Sequence, residues 1–321
     1  MRLYARAPML RRALALVALL VASSGAPACA GSTAGRGPSG PLKGETLVLV
    51  GDGRVGQYVS SGWGFATSTF WIEGPAGVVL IDAQFLPSAA EEAIVAAERV
   101  TRKKVVAAIV LHPNPDKFNG TATLQARGIE VLTSQQVLDR IPAVFEQRTA
   151  AFGERYRPDW PEATPRPDSF GDTTTTLALA GLKLTAHVLG AGCSEAHVAV
   201  SWEGHLFVGD LVANGSHAWL EIGRTDAWLE RLAELEALAP RYVHPGRGRS
   251  GGPQLLKAQR EYLQTVIDLV AAEKPVMPPD PTALARVRAT LERKYPGYRF
   301  PVFLEIGLPA EWERQAAARG S

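Results

Sequence analysis

Short apolar runs separated by polar segments dominate the chain from residue 46 onward. Each run has the length of one strand. In KVVAAIVL (104–111), all residues after Lys104 are apolar without alternation, which is typical of a strand buried on both faces. The predicted strands are TLVLV (46–50), STFWI (68–72), GVVLI (77–81), KVVAAIVL (104–111), IEVLT (129–133), LKLTAHVL (182–189), HVAVSW (197–202), HLFVGD (205–210) and RYVHP (241–245).

Helical periodicity occupies segments between these runs. Ala90, Ile94 and Ala97 recur at helical spacing, and Ser88 with Glu91 predicts a capping box at the start of that helix. Further helices are predicted over roughly 134–154, and over 226–238 and 253–270, and a proline-rich segment after residue 156 predicts a long loop of the kind that rims active sites. Strands followed by helices, twice over, predict an α/β fold with two sheets packed face to face and helices outside.

The two ends of the chain differ from its centre. Residues 1–28 combine four arginines, an apolar stretch of ten residues and small residues, which predicts a secretory signal peptide. We expect a flexible linker over 29–45, one domain over 46–279, and a C-terminal helical extension over 280–321. Cleavage before Cys29 would allow lipidation, so we expect an exported protein, either periplasmic or tethered as an outer-membrane lipoprotein, with an ordinary cleavage site as the alternative.

Charge and cysteine content narrow the partners. Removal of residues 1–28 lowers the number of Lys and Arg residues from 34 to 30 against 32 Asp and Glu residues, which gives a net charge of −2. No basic stripe remains that could bind nucleic acid.

The chain has two cysteines, and without Cys29 the remaining Cys193 would be unpaired in an oxidising compartment. A buried core thiol and a metal ligand are the two interpretations of Cys193.

Polar residues follow the apolar strand 104–111 at alternate positions. They are His112, Asn114 and Asp116, with Lys117 next to them. This pattern indicates a strand that delivers ligands or catalytic groups into a cleft.

The chain resembles the metallo-β-lactamase superfamily over about residues 45–272. The resemblance is carried by GVVLIDAQ with Asp82, LHPNPDKFNG, LGAGCSEAHVAV, LFVGDLV and VHPGRGRSGG, in this order and spacing. It implies an αββα four-layer sandwich whose edge holds one or two zinc ions that activate a hydroxide. It also implies that Asp82 organises the loops beneath the site, that His197 lies outside the ligand set, and that the region of Asn214 contacts substrate.

The family's ligand pattern is altered in this chain. His112, Asn114 and Asp116 stand where the family has His-x-His-x-Asp, and Cys193 replaces the histidine of Gly-His-Thr/Ser. Asp210 matches a bridging aspartate, whereas Arg247 replaces the histidine of Pro-Gly-His-Gly.

Two hypotheses follow from these changes. In the first, His112, Asp116, Cys193 and Asp210 hold one zinc ion, since thiolate, imidazole and carboxylate are all zinc ligands. Asp116 and His112 would then be catalytic, and Asn114, Lys117, Asn214 and Arg247 would bind a small anionic substrate with an ester, thioester, amide or lactam bond. In the second, Lys117 and Arg247 neutralise the two aspartates, and the protein is a metal-free binding or accessory protein. A nucleophilic pair of Cys193 and His197 is a third possibility, although a strand there would not guarantee their contact.

Overall fold

The computed structural model describes residues 44–49 and 51–319 as an α/β sandwich. The strands are β1 (Glu45–Val48), β2 (Val55–Val59), β3 (Ser68–Gly74), β4 (Gly77–Ile81), β5 (Val105–Ile109), β6 (Glu130–Thr133), β7 (Asp168–Ser169), β8 (Thr175–Leu179), β9 (Leu182–Leu189), β10 (His197–Trp202), β11 (His205–Ala213) and β12 (Tyr242–Arg247). The helices are α1 (Pro87–Thr101), α2 (Pro115–Phe118), α3 (Thr121–Ala126), α4 (Gln135–Arg148), α5 (Glu154–Tyr156), α6 (Thr225–Ala237), α7 (Gln254–Ala272), α8 (Pro281–Lys294) and α9 (Val302–Arg319), with a π-helical turn over Thr149–Gly153.

The strands form two sheets. The first has the order β1-β2-β3-β4-β5-β6-β7, with antiparallel pairing up to β4 and parallel pairing from β4 to β7. The second has the order β12-β11-β10-β9-β8, in which only β11 and β12 run parallel. Parallel neighbours end at the same edge of a sheet, so the carboxyl ends of β4, β5 and β6 share one edge of the first sheet, and those of β11 and β12 share one edge of the second.

Two buried clusters hold the layers together. The larger one packs Trp71, Ile72 and Ile109 of the first sheet against Phe207 of the second, which confirms the predicted face-to-face packing. The other lies where the second sheet meets α6, α7, α8 and α9, and its largest side chains are Trp228 and Trp312. The fold class predicted from the sequence is therefore correct.

The start of α1 differs from the prediction. The capping box is wrong, because the helix begins at Pro87 and its N-cap, Leu86, offers no side-chain hydrogen bond. Ser88 instead donates its backbone N–H (3.0 Å) and its hydroxyl to the carboxylate of Asp159. Glu91 pairs with Arg127, the residue that follows α3, so contacts distant in sequence replace the local cap.

The C-terminal region adds two helices, α8 and α9, whose apolar side chains pack into both clusters. Phe303 and Leu304, for example, are 3% and 0% exposed. Within the described residues, no helix combines the length and apolarity needed to cross a bilayer. The predicted signal peptide and nearly all of the predicted linker, with Cys29, lie outside the described residues.

Candidate functional site

The loop after β5 positions the first group of predicted residues. His112 is fully buried, and Asn114 is the N-cap of the single-turn helix α2, which carries Asp116 and Lys117. Pro115 at the first helical position has no N–H to leave unsatisfied, which suits this abrupt start. The alternate spacing seen in the sequence thus arises from a loop and one helical turn.

The parallel pair β11 and β12 positions the second group. Asp210 lies within β11, and Arg247 is the last residue of β12. The intervening backbone must pass very close to the carboxylate, because a Cβ on Gly246 would lie 2.0 Å from Oδ1 of Asp210. Glycine at residue 246 is therefore a requirement of the site.

A fully buried lysine lies beneath the two carboxylates. Nζ of Lys117 is 3.1 Å from Oδ2 of Asp116 and 3.0 Å from Oδ1 of Asp210, and its side chain is 0% exposed. It also lies 3.9 Å from Oδ2 of Asp82, whose other oxygen, Oδ1, accepts the backbone N–H of Leu111 at 2.9 Å. Lys117 therefore lies behind the cleft, in a place where it binds carboxylates of the protein itself.

Arg247 joins the same carboxylates from the cleft side. Its Nη2 donates to Oδ2 of Asp116 at 2.8 Å, and its Nη1 donates to Oδ2 of Asp210. Two aspartates and two cations thus form one buried network in which the charges cancel. Such pairing is required for charges held out of water.

The electrostatics of the network follow from this geometry. Burial alone would raise the pKa of Asp210, but Arg247 and Lys117 outweigh it and hold the pKa well below its usual value. Burial would lower the pKa of Lys117, and the neighbouring Asp116 and Asp210 instead raise it. Asp82 differs, because burial outweighs Lys117 and raises its pKa to about 8.

A second group of side chains, His112, Cys193 and His197, lies next to this network. All three are buried, and their ligand atoms lie within 4.8 Å of one another. Sγ of Cys193 is 3.7 Å from Nε2 of His197, which accepts the backbone N–H of Ser194 at 3.1 Å. His197 begins β10, but the chain bends over residues 192–195, and that turn brings the thiol back to the imidazole.

His112 connects this trio to Asp210. Its Nδ1 is 3.0 Å from Oγ of Ser194, and its Nε2 is 3.8 Å from Oδ2 of Asp210. Burial lowers the pKa of His112 to about 3. Lys117 and Arg247 lower this pKa further, and Asp210 opposes them. The ring is therefore neutral, and its Nε2 has no hydrogen-bond partner among the described residues. In the tautomer whose Nδ1–H donates to Ser194, Nε2 carries a lone pair.

The thiol of Cys193 is not poised as a nucleophile. Burial and the nearby Asp210 raise its pKa well above the ordinary value, so the thiol keeps its proton at neutral pH. His197 is held neutral as well, because burial lowers its pKa well below the usual range. A cation bound between them would favour loss of the thiol proton, as it does in metal–thiolate sites.

The donor set suits one zinc-like ion and not two. Zinc bond lengths of about 2.0–2.3 Å in a tetrahedron imply ligand atoms about 3.3–3.8 Å apart. The separation of Cys193 from His197, 3.7 Å, matches this requirement, and a ligand atom of His112 lies within 4.8 Å of both. An ion between Asp116 and Asp210 does not fit, because the guanidinium of Arg247 already lies there.

An aromatic cleft opens above the network. Its volume is about 50 Å³, enough for a few water molecules, so a larger ligand requires movement of the wall. The lining residues are Phe65, Phe85, Asn114, Pro115, Asp116, Arg148, Phe152, Asp210, Trp219, Arg247 and Phe303.

No sequence pattern predicted three further residues of the site, Arg148, Glu221 and Phe303. Arg148 and Glu221 form a buried ion pair, and Arg148 also lies 5.3 Å from the ring centre of Trp219. Phe303 of α9 lies 5.5 Å from the Arg247 guanidinium. Their positions depend on packing between distant segments, and nothing in their local sequence signals it.

The predicted substrate-binding residues lie in different places. Asn114 and Arg247 line the cleft, whereas Lys117 is sealed beneath it. Asn214 donates its side-chain amide to the carbonyl of Arg249 at 2.8 Å and its backbone N–H to the carbonyl of Arg247 at 3.0 Å. It thereby holds the end of β12 and does not line the cleft.

Comparison with known proteins agrees with this architecture. The sequence model described as the metallo-beta-lactamase superfamily matches residues 62–247. Among curated proteins, none matches the chain.

Solved structures of similar fold include three metallo-beta-lactamases. That from Pontibacter korlensis is 20% identical with a TM-score of 0.53, covering 69% of this chain and 99% of its own. FIM-1 from Pseudomonas aeruginosa, in its mono-zinc form, is 16% identical with a TM-score of 0.53, covering 69% and 95%. The enzyme from Erythrobacter litoralis, with beta mercaptoethanol in its active site, is 16% identical with a TM-score of 0.52, covering 67% and 95%. Identities this low establish the fold alone.

Proposed function

This chain belongs to the metallo-beta-lactamase superfamily, and on that premise we propose that it is a metal-dependent hydrolase with a single-ion site. His112, Cys193 and His197 hold the ion, and Arg247 supplies the positive charge of a second one. The observation that carries this proposal is Nε2 of His112, which has no hydrogen-bond partner among the described residues, in a ring whose ligand atom is buried within 4.8 Å of a thiol and a second imidazole. A buried nitrogen acceptor without a partner is costly unless a ligand satisfies it.

The ion set differs from the one expected from sequence. His112 and Cys193 belong to both sets, but Asp116 and Asp210 are each held by Lys117 and Arg247. His197 takes their place, since its ring reaches the thiol of Cys193. To bind the ion, Nε2 of His197 must release the backbone N–H of Ser194.

The residues around the ion have separate tasks. A bound zinc ion supplies Lewis acidity and lowers the pKa of a bound water. Asp116 reaches the cleft, where its carboxylate accepts a proton-bearing group such as water or a substrate N–H. Arg247 binds an anionic group of the substrate, Asn114 donates its amide to a carbonyl, and the aromatic wall excludes bulk water.

The substrates proposed are small acids that carry an ester, thioester, amide or lactam bond. A panel of chromogenic esters, a thioester and a β-lactam is to be assayed before metal removal, after it, and after zinc is restored. We expect at least one substrate whose hydrolysis stops with the metal and returns with zinc, and whose rate falls in His112→Ala. His187→Ala is the matched control, because that histidine bonds Ser201 outside the site and its loss leaves the rate unchanged. Metal-independent rates would contradict the proposal.

A second candidate function is a metal-free binding or accessory protein. The observation that favours it is the closed network of Asp116, Asp210, Lys117 and Arg247, which neutralises both carboxylates without any ion. On this alternative, a small anionic ligand binds the aromatic cleft and is not hydrolysed. Calorimetric binding by metal-free protein, with no turnover in the zinc-loaded protein, would favour it.

Export is part of the proposal. We propose that residues 1–28 are removed and that Cys29 is lipidated or lies close to the new N-terminus. Mass spectrometry of the mature protein distinguishes these outcomes. If Cys29→Ser carries the same added mass as the wild type, Cys29 is not the lipidated residue.

A further inference from the structure

A second chain of polar side chains lies outside the aromatic cleft and comprises Asp52, His205, His244 and Ser250. Oδ2 of Asp52 is 3.3 Å from Nε2 of His205, whose Nδ1 is 3.0 Å from Nε2 of His244. Nδ1 of His244 is in turn 2.8 Å from Oγ of Ser250. The four residues form one continuous hydrogen-bonded line.

The direction of every hydrogen bond in this line follows from its acidic end. Arg54 holds the pKa of Asp52 well below its usual value, so the carboxylate only accepts. His205 must then donate from Nε2 and accept at Nδ1, which requires His244 to donate from Nε2. Nδ1 of His244 therefore carries a lone pair, and it accepts a hydrogen bond from the hydroxyl of Ser250.

Both rings are fixed in this arrangement by aromatic neighbours. The ring of His205 stacks on Tyr242 at 4.7 Å between centroids, and the ring of His244 stacks on Phe207 at 4.3 Å. Burial lowers the pKa of both histidines, so each is neutral and keeps a single ring proton. Rings fixed in one orientation and one tautomer are what a proton relay requires.

Ser250 is the member that reaches a cavity. It lines a cleft of about 430 Å³, within the size range of small-molecule sites and much larger than the aromatic cleft. Arg241 and Arg249 also line it and favour a ligand that carries an acidic group. Its apolar wall consists of Leu47, Val48, Leu49, Val55 and Phe70.

We propose that Ser250 is the nucleophile of a second hydrolytic site, activated by His244, His205 and Asp52, for esters that combine an apolar acyl chain with a carboxylate. None of these residues lines the aromatic cleft, and the reaction requires no metal ion. The site is therefore independent of the proposed metal-dependent function.

The reaction balances with water as the only co-reactant. Oγ of Ser250 attacks the ester carbon while its proton passes to Nδ1 of His244, and the carbonyl electron pair moves to oxygen. Collapse expels the alcohol, which takes that proton, and water then cleaves the acyl-serine with the same base. A buried imidazolium at His244 is unfavourable alone. Transfer of its Nε2 proton to His205 places the positive charge next to the carboxylate of Asp52, which stabilises it.

The proposal is tested with an alkyl fluorophosphonate, which bonds to activated serines and releases fluoride. Labelling is followed by intact-protein and peptide mass spectrometry, with and without EDTA. We expect one adduct on Ser250, equal in both conditions, and none in Ser250→Ala. In Asp52→Asn the labelling rate should fall roughly 100-fold, the size typical of a lost general-base contribution.

Ser201→Ala is the matched control. Oγ of Ser201 also contacts a histidine, His187 at 2.8 Å, but within the described residues no carboxylate lies on the other nitrogen of that ring. Labelling should therefore be unchanged in this variant. The proposal is overturned by absence of an adduct in the wild type, by an adduct that survives in Ser250→Ala, or by an unchanged rate in Asp52→Asn. Hydrolysis of the mono-4-nitrophenyl ester of glutaric acid, lost only in Ser250→Ala and Asp52→Asn, is the second readout.

Discussion

Replacement of Arg247 by histidine tests whether its guanidinium stands in for a metal ion. Nη2 of Arg247 lies 2.8 Å from Asp116, a separation worth about 6 kcal/mol of attraction at an effective dielectric constant near 20. Desolvation of the guanidinium offsets part of this attraction, and removal of one partner from a buried network typically costs about 3–5 kcal/mol. Arg247→His should lose about that much stability without metal, because Lys117 alone then faces two carboxylates.

Zinc should reverse much of this loss. The vacated space between Asp116 and Asp210, together with the new imidazole, offers three ligands to a second ion. Zinc at about 100 times its dissociation constant then returns about 2.7 kcal/mol. Urea unfolding at several zinc concentrations measures both effects, and metal analysis should show a second equivalent.

Arg148→His is the control for this experiment. Arg148 is also buried in an ion pair on the cleft, but it faces the single carboxylate of Glu221. We expect it to lose stability and to gain no second equivalent of zinc. Equal stability of Arg247→His and wild type without metal would refute the reasoning, as would a metal content that does not rise.

Three further predictions concern the surroundings of the site. Burial raises the pKa of Asp82 to about 8, so the neutral carboxyl contributes its full stabilisation below about pH 4, and this contribution is lost as the pH rises through 8. Urea denaturation at pH values from 4 to 8 should therefore show the free energy of unfolding of the wild type falling relative to that of Asp82→Asn. Phe303→Ala should cost about 3–5 kcal/mol in urea unfolding, and it should raise KM more than it lowers kcat, since the ring is part of the cleft wall; an unchanged KM would contradict that role. Gly246→Ala should lower the free energy of unfolding by at least about 2 kcal/mol, because its Cβ would lie 2.0 Å from Oδ1 of Asp210. In Gly53→Ala the added Cβ meets no atom within 4 Å, so thermal denaturation should show no change in stability.

The sequence predicted the strands that are apolar runs, and it missed those that are not. β2, with Gly56 and Gln57 in its centre, and β8, partly exposed at a sheet edge, lack a continuous apolar signal. The capping box was wrong because Asp159, distant in sequence, competes for Ser88. Local patterns predict elements well where burial is the dominant cause, and poorly where a distant side chain decides.

The candidate site shows the same division. The strand-end residues and the substitution of Arg247 for a histidine were visible in the sequence. The complete burial of Lys117 was not, because it depends on carboxylates from its own helical turn, from the loop after β4 and from β11. A strand over these residues would not guarantee contact between Cys193 and His197, and the contact arises instead from the turn that precedes β10.

The central claim is that one ion binds at a thiol and two imidazoles, and metal content tests it most directly. Protein purified without added zinc, then offered zinc, iron and manganese in excess and desalted, is analysed by plasma mass spectrometry beside Cys193→Ala and the control His187→Ala. We predict close to one equivalent in the wild type and the control, and a large loss in Cys193→Ala. A folded wild-type protein that retains none of these metals, or a Cys193→Ala variant that retains as much as the wild type, would contradict the account.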